Sequence, residues 1–147
     1  MSILIAYDGS SDAKAAVEFA AKHFKDAPTV VVSVWEPLLV QLRHYPAAGP
    51  ALLADDPSPE AQALAEKYAQ EGADLAKAAG LSEVSHRAVA DTESIWKTIV
   101  EVADELGSDV IVIGSRGLKG IPSLLLGSVS NHVLHHSKRP TLIVKGD

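Results

Sequence analysis

The sequence predicts an α/β fold: a single open parallel sheet of five strands, order 3-2-1-4-5, with helices on both faces, in one domain spanning residues 1–147. Three observations carry this expectation. Apolar runs of strand length alternate with longer stretches of helical period, giving the order βαβαβαβαβ. Thr29 to Val34 is continuous and β-branched, as expected of a strand covered on both faces. A chain of 147 residues with no internal repeat matches one hydrophobic core. Right-handed crossovers between parallel strands then place helices on both sides of the sheet.

The elements follow in order along the chain. Ser2 to Tyr7 is the first strand, stopped by Asp8-Gly9-Ser10-Ser11, a turn that also supplies helix N-cap residues. Ala13, Ala16, Val17, Ala20, Ala21 and Phe24 then recur at helical spacing and make one apolar face. After the second strand, residues 35–59 lose any period among Pro37, Pro46, Pro50, Pro57 and Pro59. That stretch reads as a long loop, or a loop holding one short helical piece, of a length that often forms a lid or a partner surface. Ser58-Pro59 starts a helix and Gly80 stops it, with Ala61, Leu64, Ala65, Tyr68, Leu75, Ala76 and Ala79 on one side. Val84 to Val89 is a weaker strand, and Asp91-Thr92 can cap a helix running to Leu106, with Gly107 just beyond. The strongest strand, Val110 to Ile113, leads into a glycine loop, a helix from about Gly127 to His136, and a last strand, Thr141 to Val144.

Composition excludes several function classes. Hydrophobic content of 47% with 22% charged residues is ordinary for a soluble globular protein. The absence of cysteine removes disulfides, thiolate nucleophiles and cysteine metal sites. A net charge of −6 argues against a general nucleic-acid binder, which needs clustered Lys and Arg. The opening MSILIAYDGSSD lacks the basic region of a signal peptide, and no run reaches the roughly 18 apolar residues of a membrane span. The expectation is a cytoplasmic protein.

In a sheet of this kind ligands bind beyond the carboxyl ends of the strands, where two neighbouring connections leave in opposite directions. With the order 3-2-1-4-5 that point lies between the first and fourth strands. Asp8-Gly9-Ser10 ends one of them. The other runs into GSRGLKGIPSLLLGSVSN, residues 114–131, which holds Gly114, Gly117, Gly120 and Gly127, more glycines than a turn needs. Glycines let backbone approach a ligand, and the N–H groups at the start of the next helix favour an anion by roughly 0.3–1 kcal/mol per nearby charge. The hydroxyls of Ser128 and Ser130 can donate to phosphate oxygens, and Arg116 and Lys119 are candidates for positive charge. The simpler reading is that Asp8 and Ser128 serve only as helix caps.

There is no GxxxxGK[ST] and no GxGxxG after the first strand, so the P-loop and the dinucleotide fingerprint are absent. What remains is Gly114-x2-Gly117, nine residues, then Gly127-Ser128. With AYDGS at the first strand, DVIVIGSRG at the fourth, SVSNHVLHHSKRP and the final PTLIVK, the chain resembles the universal stress protein family over essentially its whole length. Its motif is that of the ATP-binding branch, G-x2-G-x9-G-[ST]. The resemblance implies a Rossmann-like domain that holds ATP with Mg²⁺. It places Asp8 at the ribose or base, Ala6 in the same pocket, and the backbone of Val34 at the adenine. Gly114 and Gly117, next to Ile113, would pass close to ribose and phosphates, and Gly127, Ser128, Val129 and Ser130 would hold the phosphates. A role for Arg116 or Lys119 does not follow from the family, whose residues between the glycines vary.

No catalytic pattern is visible: there is no Ser-His-Asp arrangement, paired carboxylate motif or HExxH. His132 and His136 share a helix face, but without carboxylate or cysteine company they read as surface or interface residues rather than metal ligands. The Asp and Glu residues of the helices read as a solvated face. The leading expectation is a nucleotide-dependent stress or signalling module; the alternatives are a slow ATPase or autophosphorylating enzyme, and a scaffold without nucleotide. The last strand, Thr141, Leu142, Ile143 and Val144, should lie at a sheet edge, where open backbone groups invite another strand. The family's usual homodimer uses that strand, which implies Leu142 and Val144 near the contact.

Overall fold

The structure is a computed structural model that describes residues 1–117 and 126–146. Its five strands are β1 (Ile3–Ala6), β2 (Thr29–Trp35), β3 (Val84–Ala90), β4 (Val110–Gly114) and β5 (Thr141–Val144). All pair in parallel in the order β3-β2-β1-β4-β5, the order expected from the sequence. The α-helices among the described residues are α1 (Ser11–His23), α2 (Leu38–His44), α3 (Gly49–Ala54), α4 (Ser58–Ala78), α5 (Ile95–Leu106) and α6 (Ser128–His136).

The two-residue period of the central strands divides the core in two. Ile3, Ile5, Val31, Val110 and Val112 point to one face, where α1 and α4 cover them with Ala13, Ala16, Val17, Ala20, Ala73 and Ala76. Leu4, Ala6, Val32, Ile111 and Ile113 point to the other, under Ile99, Val102 and Ala103 of α5 and Val133 of α6. The small residues of α4 let it approach the sheet closely. A Cβ at Gly72 would lie 2.7 Å from the Tyr7 ring and 2.8 Å from Val31 Cγ1, so only glycine fits there.

Three local expectations change. The segment between β2 and α4 is mostly helical: α2, a 3-10 turn at Pro46–Ala48 and α3 occupy it. Its prolines start helices rather than prevent them. Pro37 precedes α2, and the 3-10 turn, α3 and α4 each carry a proline in their first two positions, where the missing N–H costs nothing. Helix α5 begins at Ile95 behind Ser94, not at Asp91-Thr92, because the Asp91 N–H continues the sheet by donating to the Trp35 carbonyl. Finally, the acidic residues of the helices are not all solvated, since Asp12 of α1 is 2% exposed.

Candidate ligand-binding site

β1 and β4 are neighbours in the sheet, yet α1 packs on one face and α6 on the other. The two connections therefore part at the carboxyl ends of these strands, and a cavity of about 600 Å³ opens in the gap. That volume suits a small organic ligand. Residues from the exits of β1, β2 and β4 and from α4, α5 and α6 line it.

At the β1 exit, Ala6 and Asp8 face the cavity. Asp8 does not cap α1. Its Oδ1 accepts the Ser10 N–H at 3.0 Å, and Ser10 is the N-cap, its Oγ accepting from the Ala13 N–H at 3.1 Å. The other Asp8 oxygen stands beside Gly117, where a Cβ would come within 2.9 Å of it.

At the β4 exit, Ile113, Gly114, Arg116 and Gly117 line the cavity. Gly114 is dictated by the protein itself: a Cβ would lie 2.7 Å from the Asp12 carbonyl carbon and 2.8 Å from the Ala13 nitrogen. Beyond it, Asp12 accepts hydrogen bonds from Ser115 Oγ (2.5 Å), the Arg116 N–H (3.0 Å), Arg116 Nε (3.2 Å) and the Gly146 N–H (2.8 Å). Burial pushes the Asp12 carboxyl up, but the bonds from Ser115, Arg116 and Gly146, with the Arg116 charge, outweigh it and hold the group below its ordinary value. The sequence offered Arg116 as a source of positive charge for a ligand. Its guanidinium is paired with a buried carboxylate, and its remaining contribution to the cavity wall is a neutralised one. Lys119 and Gly120 lie outside the described residues.

At the start of α6, Gly127 is the N-cap and no side chain caps the helix among the described residues. Gly127, Ser128, Val129 and Ser130 all line the cavity, so the first-turn N–H groups of this helix open onto it. Ser128 is exposed and its hydroxyl makes no hydrogen bond among the described residues. Ser130 is different. It is 2% exposed and its Oγ donates to the Ser115 carbonyl at 2.8 Å, with the Gly127 carbonyl at 3.1 Å. The hydroxyl expected to meet phosphate therefore holds the β4 loop against α6, and Ser130 offers the cavity its backbone.

The opposite wall is apolar, built from Val34 and Trp35 of β2, Leu64 and Tyr68 of α4, and Ile95 and Ile99 of α5. Val34 lies two residues past Val32, the β2 partner of Ala6, so β1 has ended where the Val34 backbone faces the cavity. Ala6, Asp8, Val34, Ile113, Gly114, Arg116, Gly117 and Gly127 to Ser130 thus come together, while Asp12, Ser115 and the α4 and α5 wall were missed. Helical spacing flagged Leu64 and Tyr68 as core, and nothing in the sequence separates Asp12 from a solvated first-turn acid.

Two further features border the site. Glu36 lines the cavity and lies 3.3 Å from His44 on α2. Behind it Asp91 is 2% exposed, and neither of its carboxyl oxygens has a hydrogen-bond partner among the described residues. Burial, then the Glu36 charge, push Asp91 up to about 6, with His44 opposing and a protonated Asp91 able to donate to Glu36. On α6, His132 stacks on Trp96 of α5 and His136 packs tilted against it, and each Nδ1 contacts the carbonyl four residues earlier. Among the described residues no three metal-ligating side chains are grouped to hold an ion, and no helix is long and apolar enough to cross a membrane.

A doubly wound parallel sheet with a cavity at its switch point, walled on one side by apolar residues and on the other by a helix N-terminus with no side-chain cap among the described residues, defines an α/β protein with a candidate small-ligand site. The profile of the Universal stress protein family matches residues 1–145, and the chain belongs to that family. A universal stress protein of Mycolicibacterium smegmatis is 31% identical over 151 residues, covering 99% of this chain and 48% of that protein, so the chain spans about half of that relative's length. One of Mycobacterium tuberculosis is 30% identical over 146 residues, covering 97% of this chain and 94% of that one. A solved universal stress protein in complex with cAMP superposes with a TM-score of 0.69 at 27% identity, covering all of this chain and 98% of that one.

Proposed function

We propose that this chain is an ATP-binding universal stress protein, a cytoplasmic signalling module whose surface depends on nucleotide occupancy. The observation that carries the proposal is the first turn of α6, uncapped by any side chain among the described residues and open to the cavity at Gly127–Ser130. Phosphates would take those N–H groups and the Ser128 hydroxyl, and the base would lie against Val34, Leu64 and Tyr68 on the apolar wall. The 27% identical relative solved in complex with cAMP supports an adenine nucleotide as the ligand.

Mg²⁺ would accompany the triphosphate, since it keeps several waters and needs only one or two carboxylates beside the phosphates. Asp8, which lines the cavity beside Gly117, would meet the ribose or base. Two copies would pair along β5, the edge strand of the sheet, with Thr141 to Val144 offering the open backbone.

Calorimetric titration of ATP with Mg²⁺ tests the reading. Micromolar binding is expected, weakened about tenfold in Ser128→Ala through loss of one hydrogen bond to a charged group. No binding to folded protein would refute it.

A further inference from the structure

We propose that Asp12, a residue of α1 that lies behind the cavity wall, is the positioning residue for the cavity's anion-binding end. It fixes the Ser115–Gly117 loop and, through Ser115, the first turn of α6. The inference rests on the nucleotide reading above, and it concerns which residue makes the phosphate end competent.

The chain of contacts is continuous. Asp12 sits in the first turn of α1, 2% exposed, and its Oδ2 receives Ser115 Oγ and the Arg116 N–H while its Oδ1 receives the Gly146 N–H. Ser115, fully buried, is thereby held at its side chain. Its backbone N–H donates to the Val144 carbonyl at 2.8 Å, extending the β4 and β5 pairing. Its carbonyl accepts two bonds from the start of α6: the Gly127 N–H at 2.5 Å and Ser130 Oγ at 2.8 Å. The direction in which the α6 N–H groups point is thus set by Ser115, and the place of Ser115 by Asp12.

Charge explains why an acid is needed at this position. Asp12 is met by donors only, from two backbone N–H groups, one hydroxyl and one guanidinium. A carboxylate can satisfy them all, whereas an amide must turn one donor of its own toward another donor. The same carboxylate neutralises Arg116, which keeps that side chain against α1. None of the apolar wall residues is hydrogen-bonded to Asp12. Val34, Leu64 and Tyr68 belong to β2 and α4, away from the β4 loop.

That separation supplies the test. Wild-type protein and Asp12→Asn are titrated with ATP in Mg²⁺ and, separately, with adenosine, which meets the base wall but brings no phosphate. The expected result is ATP binding weakened about tenfold or more in the variant, with adenosine binding unchanged within about twofold. Ser115→Ala, which removes only the hydroxyl link to Asp12, should show the same split at smaller size, and it serves if Asp12→Asn does not fold. Equal weakening of both ligands would reduce Asp12 to a general structural role and overturn the inference, as would unchanged ATP binding. Wild-type protein that binds neither ligand would overturn the nucleotide reading itself, and the inference with it.

Discussion

Two helices start at the same end of the sheet, α1 after β1 and α6 after β4, and they treat their free N–H groups in opposite ways. The first turn of α1 is closed from within: Ser10 caps it, and Asp8 in turn accepts the Ser10 N–H. The first turn of α6 begins at a glycine with no side-chain cap among the described residues, and the cavity lies in front of it. A helix start left uncapped is a standing preference for an anion. The closed end of α1 has another task, since its Asp12 carboxylate organises the loop that leads to the open one.

The largest effect should come from closing the space between the two exits. Gly114→Ala would drive a Cβ to within 2.7 Å of the α1 backbone, and we expect about 3 kcal/mol of destabilisation in urea unfolding, at the upper end for overpacking. A wild-type-like midpoint would mean that α1 and β4 are less tightly joined than their contacts indicate.

Asp91 sharpens the contrast between filled and unfilled polar groups, because it is as buried as Asp12 and neither of its carboxyl oxygens has a hydrogen-bond partner among the described residues. Its folded-state carboxyl, at about 6, stands above the ordinary 3.8, so the folded chain holds a proton that the unfolded chain releases. The stability this contributes is fully present below about pH 4 and is lost as pH rises through about 6, on the order of 2 kcal/mol. Asp12 acts in the opposite sense, its depressed value adding stability at higher pH that is lost on acidification. The difference between wild type and Asp91→Asn isolates the Asp91 contribution. Stability of the variant relative to wild type should increase from pH 4 to pH 7, and a constant difference would contradict the assignment.

Much of this arrangement was legible in the sequence, and the parts that were not share a cause. Strand order and the position of the cavity follow from alternating periods, because burial on two faces leaves a continuous apolar run such as Thr29 to Val34. The glycine spacing marked the β4 exit. It did not show that Gly114 is required by α1 rather than by a ligand, since that contact joins residues about a hundred positions apart. The partners of Asp12, Arg116 and Ser130 were not legible for the same reason: a side chain's partner across the sheet leaves no local pattern. The prolines of residues 37–59 misled differently, because the first turn of a helix tolerates the residue that breaks its middle.

Smaller effects separate the two helix starts directly. Ser10→Ala should cost about 1 kcal/mol of stability, the usual value of a lost N-cap. At the α6 start, Ser128→Ala removes an exposed side chain and should change stability by less than about 0.5 kcal/mol, while weakening ATP binding. Equal stability losses at the two serines would erase the distinction between a closed and an open helix start.

The most direct measurement is an amide NMR titration of the protein with ATP and Mg²⁺, following the N–H signals of Ser128, Val129 and Ser130 at the α6 start against those of Ser11, Asp12 and Ala13 in α1. The open-end account predicts large, saturable shifts in the first group, with the Ala13 signal, held by Ser10, moving little. Saturable binding that leaves the α6 signals in place, or that moves the capped turn of α1 instead, would contradict it.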